Sequence, residues 1–435
     1  MRLPLFITLA TFLLASCGGG GGPVSRLPSQ PAPAAEAPSS IEPVPGETPA
    51  EDGEFRVALL LPLTGPNASL GQAFLAAAQL ALFDVDHASL TLLPRDVGDG
   101  SKAAEAAEAA LRDGAQLILG PIFSQSVEKA GAVARAAHVA LVGFSNDRTV
   151  AGDGVYLSGF TPLEEVRRVI SYAVAQGHRS LAALIPETPY GDAVASAFRD
   201  SVSAAGARIG GMVTYPPQRD ALFDPVKTLA DYDRRHQALE AELADLRGLG
   251  EDDDLAKQEL NRLRHRETLG ELPYDAVLIP EGGGLLRALS PLLPYYDIDP
   301  DSVKFLGTAL WDDPSLSREP PLEGAWFAAP PDETRARFEQ RFRSLYGEAP
   351  PRIATLAYDA VALAASLGLP RAEQLHGQPL PERLLLNPNG FQGVDGIFRF
   401  TPAGLAERGL AVKEITRTGI RTINPAPTTF QTQGF

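Results

Sequence analysis

One residue of the sequence carries a thiol, and its surroundings suggest what the thiol does. Cys17 is the only cysteine among 435 residues. Before it, Arg2 supplies a positive charge, residues 3–15 are almost wholly apolar, and Ser16 is small. This order of charged, apolar and small residues is typical of a secretory signal. Its apolar part is too short to span a bilayer, which takes about 20 residues.

The four residues that end this segment, Leu14-Ala15-Ser16-Cys17, resemble a bacterial lipobox. The resemblance implies that Cys17 is acylated and begins the mature protein, so that the lipid attaches the chain to a membrane. The alternative is an ordinary cleaved signal with an incidental cysteine. Residues 18–54 are rich in glycine and proline. They cannot bury enough apolar surface to fold, so we expect a disordered tether.

Residue types that could support catalysis or hold a metal follow no recognisable pattern. The sequence has no HExxH, GxSxG, GxxxxGK or CxxC motif. Its histidines are scattered without metal-ligand spacing; they are His87, His138, His178, His236, His265 and His376. We therefore expect no catalytic residue, no metal, no cofactor and no enzymatic activity.

Length and charge limit the class of protein further. The part after residue 54 is too long for one compact core and predicts two lobes. The net charge is −16, whereas a protein that binds nucleic acid needs a basic face. We therefore expect no nucleic-acid partner. With Cys17 lipidated, no thiol remains for a disulfide.

Short apolar runs alternate with helical patterns along the body of the chain. Runs that are apolar on both faces predict buried parallel strands. They are Arg56–Leu63, Leu90–Asp96, Leu117–Gly120, Val139–Phe144, Leu181–Pro186, Asp275–Pro280 and Val303–Thr308. Helical patterns between them include Gly71–Asp86 and Lys102–Arg112. The alternation predicts an α/β fold with two doubly wound parallel sheets.

The order of several motifs is similar to that of the type I periplasmic binding proteins, the leucine/isoleucine/valine-binding family. The motifs are Val57–Gly65 before Gly71-Gln72, Asp96, Gly120–Ser124, Val142–Asn146, Pro189-Tyr190-Gly191 and Gly393–Pro402. The resemblance implies a Venus-flytrap pair of lobes within residues 55–425. It suggests residues 55–158 and 324–388 for the first lobe, and residues 159–323 and 389–425 for the second.

The same resemblance suggests a ligand site in the cleft between the lobes. Receptors of the family grip an α-carboxylate with a hydroxyl and backbone amides at a helix N-terminus, and hold the ammonium with a carboxylate of the other lobe. Ser124 and Ser145 follow strands of the first lobe, and Tyr190 and Glu281 follow strands of the second. A small amino-acid-like ligand is therefore one prediction. In the alternative, Ser124 caps the helix 125–137 and Glu281 is a solvated loop charge.

Residues 218–272 form a highly charged insertion between two predicted strands. Val226, Leu229 and Ala230, and then Leu239, Leu243 and Leu246, recur at helical spacing. Gly248-Leu249-Gly250 breaks this pattern before a second helix. The pattern predicts a helical hairpin with one narrow apolar seam. It is either a solvated projection held by ion pairs or, as we prefer, a docking arm for a partner protein.

A lipobox, a proline-rich tether and one flytrap with a charged insertion together resemble the penicillin-binding protein activator lipoproteins. This chain resembles a short version, with the flytrap alone. The resemblance implies contact with, and activation of, a bifunctional penicillin-binding protein, which is a peptidoglycan synthase. Gly18 rather than aspartate follows Cys17, which in many diderm bacteria implies the periplasmic face of the outer membrane. The alternative function is a lipidated amino-acid receptor for an ABC transporter.

Overall fold

The computed structural model of the protein describes residues 53–249 and 253–430. The predictions for Cys17 and for residues 18–52 lie outside the described residues. The predicted tether ran to Glu54, and this boundary is wrong. The Glu54 carboxylate forms an ion pair with Arg56 at 2.9 Å and accepts a hydrogen bond from Thr91. Glu54 therefore belongs to the folded body.

The first lobe is built on a five-stranded parallel sheet with the order β2-β1-β3-β4-β5. Its strands are β1 (Phe55–Leu61), β2 (Leu90–Asp96), β3 (Leu117–Leu119), β4 (Leu141–Gly143) and β5 (Val155–Leu157). All seven residues of β1 are buried, because helices cover both faces of the sheet. This is why the strand is a nearly continuous apolar run rather than an alternating one.

Helices occupy most of the segments between strands. They are α1 (Ala68–Val85), α2 (Ala103–Arg112), α3 (Ser124–Ala136), α4 (Pro162–Ala175), α5 (Pro189–Ala204), α6 (Phe223–Leu229), α7 (Tyr232–Gly248), α8 (Asp254–Leu263), α9 (Gly283–Leu289), α10 (Leu292–Tyr295), α11 (Asp332–Tyr346), α12 (Thr355–Gly368) and α13 (Ala372–Leu375). The buried faces of α1, α11 and α12 pack in one core of the first lobe, and those of α2 and α3 in a second core. By length and composition α1 and the segment Arg352–Leu375 could cross a membrane, but in the folded lobe they pack against each other.

The remaining strands form a second, seven-stranded sheet and a small three-stranded one. They are β6 (Ser180–Pro186), β7 (Arg208–Tyr215), β8 (Ala276–Leu278), β9 (Lys304–Gly307), β10 (Trp326–Ala329), β11 (Phe391–Gly393), β12 (Gly396–Phe400), β13 (Ala406–Arg408), β14 (Ala411–Thr416) and β15 (Gly419–Asn424). The large sheet has the order β15-β14-β10-β9-β8-β6-β7. Strands β14 and β15 run antiparallel to their neighbours. This edge therefore departs from the predicted all-parallel sheet: β14 runs antiparallel to β10, and a tight hairpin joins it to β15.

The predicted α/β fold with two doubly wound sheets is confirmed, but two predicted lobe boundaries are wrong. The chain was expected to return to the first lobe at residue 324. Instead, β10 pairs with β9 and β14 in the second sheet, so the return follows Ala329. The second lobe was expected to resume at residue 389, yet Phe398 and Phe400 pack in the core of the first lobe. Apolar runs in the sequence predict strands, but they do not indicate to which sheet each strand belongs.

The insertion contains the predicted helical hairpin. Helices α7 and α8 pack along a seam of Leu239, Leu243 and Leu263, as the spacing indicated. The residues Val226, Leu229 and Ala230 were assigned to the same pattern, but they pack in the core of the second lobe. Asp231, with a φ of 48°, separates α6 from α7. The projecting hairpin therefore begins at residue 232, and we call residues 232–263 the helical arm.

Candidate functional site

The four predicted cleft residues lie at the carboxyl ends of strands, in two separate groups. Ser124 begins α3 and Ser145 follows β4 in the first lobe, whereas Tyr190 is the second residue of α5 and Glu281 follows β8 in the second. The structure places both serines near Asp147, and Tyr190 close to Glu281. Within residues 53–249 and 253–430, no hydrogen bond joins one group to the other.

Asp147 lies near both serines. Its backbone N–H donates to Oγ of Ser145 at 3.1 Å, and the Ser124 side chain lies close enough to its carboxylate to help lower its pKa. The N–H and the hydroxyl of Thr149 donate to Oδ1 of Asp147 at 3.1 and 2.7 Å. The Thr149 side chain, its N–H and then Ser124 hold the pKa of Asp147 below its usual range, despite the opposing effect of burial.

The nearness of Asp147 to Ser124 changes what the first-lobe wall can bind. The hydroxyl that was expected to grip a ligand carboxylate lies beside a carboxylate of the chain itself. Ser124 is also not the cap of α3, since Phe123 occupies the N-cap position and no side chain bonds the helix end. A ligand carboxylate at this helix N-terminus would have to displace Asp147 or accept repulsion from it.

A second carboxylate, that of Asp96, follows β2 at the same edge of the sheet. It accepts hydrogen bonds from the N–H groups of Leu63 and Gly98, both at 2.8 Å, and from the Thr64 hydroxyl at 2.6 Å. Burial favours protonation of Asp96, but these hydrogen bonds outweigh it and lower the pKa. Asp96 thus ties the loop after β1 to the loop after β2 and adds a negative charge to this edge.

On the second lobe, hydroxyl groups pair with the residues that follow the strands. The hydroxyl of Tyr190 lies 2.9 Å from Oγ1 of Thr308. The Tyr215 hydroxyl donates to Oε2 of Glu281 at 2.6 Å, and the Gly282 N–H donates to Oε1 at 2.9 Å. Nε1 of Trp311 donates to the Glu281 carbonyl at 2.9 Å. Glu281 is therefore held in place rather than left as a solvated loop charge.

Glu165, in the first turn of α4, lies beside this group. Its Oε2 accepts a hydrogen bond from the Ala309 N–H at 2.9 Å. Burial raises the pKa of Glu165 to about 7, although that hydrogen bond and the charge of Arg352 oppose the shift. Burial also raises the pKa of Tyr190, and nearby Glu165 adds to the effect. The second-lobe wall therefore combines carboxyl and hydroxyl groups, which suit a hydroxyl or an ammonium ligand.

The bond between Tyr215 and Glu281 can be tested by removing one hydroxyl. Tyr215 is fully buried, and a hydrogen bond to a carboxylate contributes about 1.5–3 kcal/mol to stability. We expect Tyr215→Phe to lower the free energy of unfolding by this amount in urea titrations. Tyr190→Phe, which loses a bond between two neutral groups, should cost about 1 kcal/mol and serves as the matched control. Equal losses in both variants would contradict a charged Glu281 partner.

The sequence did not identify Asp147, Thr308, Tyr215 or Glu165 as members of these groups. Asp147 follows the predicted strand Val139–Phe144, and Thr308 is the last residue of the predicted strand Val303–Thr308. Their position at strand ends could therefore have identified them as candidate site residues. Tyr215 ends β7, a strand that was not predicted. Glu165 lies on a helix and reaches the site only through the way that α4 packs, which no local pattern reveals.

A buried charge cluster lies where the chain passes between the lobes. Asp395 is completely buried, and Arg352 pairs with its Oδ1 at 2.8 Å. Arg408 is also buried and donates from Nη2 to the carbonyl of Ser158 at 2.7 Å. The guanidinium carbons of Arg352 and Arg408 lie 4.6 and 4.7 Å from the centre of the Phe160 ring. Phe160 belongs to the first connection between the sheets, so these cation–π contacts hold that connection in place.

Asp359 completes the cluster from α12. Its Oδ1 accepts a hydrogen bond from the Val394 N–H at 2.7 Å. Burial and then the neighbouring Asp395 raise the pKa of Asp359 to about 7, against the opposing effects of the Val394 N–H and Arg408. Burial lowers the pKa of Arg408, although Asp395 and Asp359 oppose this. The cluster therefore balances two arginines against two carboxyl groups; Arg408, Asp395 and Asp359 are buried, and Arg352 is partly exposed.

Comparison with known proteins agrees with this architecture. Residues 54–233 match the sequence model of the family described as periplasmic binding protein. A putative branched-chain amino acid ABC transporter protein from Rhodospirillum rubrum is 20% identical, covers 85% of this chain and 100% of its own, and has a TM-score of 0.66. An ABC transporter substrate-binding protein from Desulfitobacterium hafniense, solved with Leu, is 19% identical, covers 85% and 100%, and has a TM-score of 0.53.

A curated relative is also similar, over a shorter segment. An uncharacterized protein of Rickettsia prowazekii (strain Madrid E) is 22% identical over 181 residues, which are 42% of this chain and 48% of the relative. The match thus spans about half the length of that relative. The two sheets described above and the structural matches together define the fold class of the protein. The protein has the type I periplasmic-binding-protein fold, as the motif order predicted.

Proposed function

We propose that this protein is a lipid-anchored, non-enzymatic regulator that stimulates a bifunctional penicillin-binding protein by contact. It acts from the periplasmic face of the outer membrane, attached through Cys17, with the proline-rich tether giving the body reach toward the cell wall. The observation that carries the choice is the Asp147 carboxylate beside Ser124. Its negative charge opposes an amino-acid carboxylate at the hydroxyl that a receptor would offer.

The helical arm supplies a surface for such a contact. Helices α7 and α8 hold together through a narrow leucine seam, so most of their surface is left free. Near the end of the arm, Leu249 and Leu255 are 62% and 77% exposed. Glu240, Glu242 and Asp245 are also exposed there. Apolar side chains surrounded by charges are typical of a contact surface in which a few central residues give most of the binding energy.

A solute receptor is the second candidate, and the second-lobe wall favours it. Glu281, Tyr190 and Glu165 lie together there, and carboxyl groups of this kind can hold a ligand ammonium. The solved structures with the same fold include the substrate-binding protein with Leu. On this alternative, the cleft would bind a branched-chain or other small amino acid, and an ABC transporter would receive it.

Replacing the helical arm separates the two functions. Nδ1 of His236 lies 2.7 Å from the carbonyl oxygen of Glu267, so a short Gly-Ser linker can replace residues 237–266, which include most of the helical arm, without straining the body. We expect this variant to lose at least about tenfold in affinity for the synthase, equivalent to about 1.4 kcal/mol. The measurement is glycan polymerisation by purified bifunctional penicillin-binding proteins of the same organism, with and without added protein. Leu249→Ser/Leu255→Ser keeps the arm and should reproduce part of the loss.

The same preparations test the receptor alternative directly. A solute at 100 times its dissociation constant stabilises the folded state by about 2.7 kcal/mol. A rise in melting temperature with leucine or a related amino acid, without stimulation of any synthase, would replace our proposal with the receptor. If the synthase is still stimulated after the arm is replaced, the activation proposal stands, but the arm is not the contact surface.

The lipid anchor is tested by palmitate labelling. We expect the wild type to be labelled and Cys17→Ala to lose the label.

A further inference from the structure

The first lobe contains a cavity that none of the four predicted cleft residues lines. It lies between α1, α11, α12 and the β11–β12 hairpin, and its volume is about 420 Å3. Pockets that bind small molecules usually measure about 300–1,000 Å3. The proposed contact function does not use this cavity, so its contents are an independent question.

Apolar and aromatic side chains form one part of the cavity wall. Leu80 comes from α1, Phe338 from α11 and Tyr358 from α12. The rings of Phe338 and Tyr358 meet edge to face, with their centres 5.4 Å apart. Such a surface favours a flat apolar group, since aromatic pairs gain from this arrangement beyond the area they bury.

Two arginines of α11 line the cavity, and they differ in their bonding. Arg341 is paired with both carboxylate oxygens of Asp84 at 2.6 Å, and the Tyr358 hydroxyl donates to the same carboxylate at 2.8 Å. Arg337 forms no hydrogen bond or ion pair with any residue in the described part of the chain. Its guanidinium group is therefore the cation available to a ligand, and it prefers a carboxylate.

A buried carboxyl group lies at another part of the cavity wall. Asp359 is 4% exposed, and its Oδ2 has no hydrogen-bond partner among the described residues. Gly393, which also lines the cavity, allows this oxygen its position, because a Cβ there would lie 2.4 Å from it. A buried oxygen without a partner costs stability, and a ligand hydroxyl could supply the missing bond.

We propose that this cavity binds a small aromatic hydroxy acid. The carboxylate of the ligand pairs with Arg337, its ring packs against Phe338 and Tyr358, and its hydroxyl donates to Asp359. Because Asp359 belongs to the charge cluster between the lobes, the site is placed to couple ligand binding to the connection at Phe160.

Calorimetric titration of the folded protein with 4-hydroxyphenylacetate tests the proposal. We expect saturable binding to one site, and a loss of affinity of at least about tenfold in Arg337→Ala, since a charge-assisted bond is removed. Arg343→Ala, an exposed arginine on the same helix, is the matched control and should bind as the wild type does. Ala362→Phe fills the cavity and should abolish binding; circular dichroism checks its folding.

The other outcomes overturn the proposal. Tyramine has the same ring and hydroxyl but carries an ammonium in place of the carboxylate. Tyramine that binds as tightly as 4-hydroxyphenylacetate would contradict the role of Arg337. Equal affinity in Arg337→Ala and Arg343→Ala would place the probe elsewhere on the protein. Absence of saturable binding in the folded wild type would refute the site itself, whatever the variants do.

Discussion

Replacing Arg408 with methionine is expected to lower the free energy of unfolding by about 3–5 kcal/mol, the usual cost of removing one partner from a buried ionic group. Arg408 is 7% exposed, and Asp395 and Asp359 lie close to it. Methionine keeps much of the volume of the side chain but leaves these carboxyl groups with less positive charge nearby. It also removes the bond to the Ser158 carbonyl and the contact with Phe160.

Arg399→Met is the matched control for this experiment. Arg399 lies in β12, next to the strand that carries Arg408, and pairs with Glu407 at 2.7 Å with its side chain 32% exposed. A pair of this kind is worth about 0–1 kcal/mol. The urea midpoint should therefore fall far more in Arg408→Met than in Arg399→Met. Similar midpoints would mean that the interlobe cluster does not stabilise the fold in the way we describe.

Between about pH 4 and pH 7, the folded body is expected to lose stability as the pH rises. Burial raises the pKa of Asp359 from 3.8 to about 7, and that of Glu165 from 4.5 to about 7. In this window the folded protein holds protons that the unfolded chain has already released. Stability therefore decreases with pH, by up to about 1.4 kcal/mol per pH unit for each such group.

The effect can be assigned with one substitution. Asp359→Asn keeps an oxygen for the Val394 N–H but removes the titration, so the urea midpoint should depend less on pH than in the wild type. Arg408 and Asp395 lie close to Asp359 and remain unchanged. The pKa values of Asp96 and Asp147 are lowered, so these carboxylates change the stability of the fold only below about pH 4. They therefore do not affect the measurement between pH 4 and pH 7. A wild-type midpoint that stays level or rises across the window would contradict the shift.

Local pattern was sufficient for the main features of the fold. Each predicted strand overlaps an observed one, because a strand covered on both faces must be apolar along its length. The leucine spacing of residues 239–246 likewise gave the helix α7 and its seam, since residues three and four apart share one face. The lipobox ending at Cys17 is a local signal as well, and its lipid remains a prediction.

Contacts between distant residues decided the rest. The composition of Trp326–Ala329 indicates a strand, but only hydrogen bonding to β9 and β14 assigns it to the second sheet. The strand-end position of Ser124 suggested a ligand contact, and the course of the chain after β4 places the Asp147 carboxylate beside it. Asp359 and Arg408 are 49 residues apart and form one buried cluster. The sequence determined which segments are buried. The pairing of strands, the contacts of individual side chains and their pKa values depend on which chain segments fold against each other, and only the tertiary structure decides this.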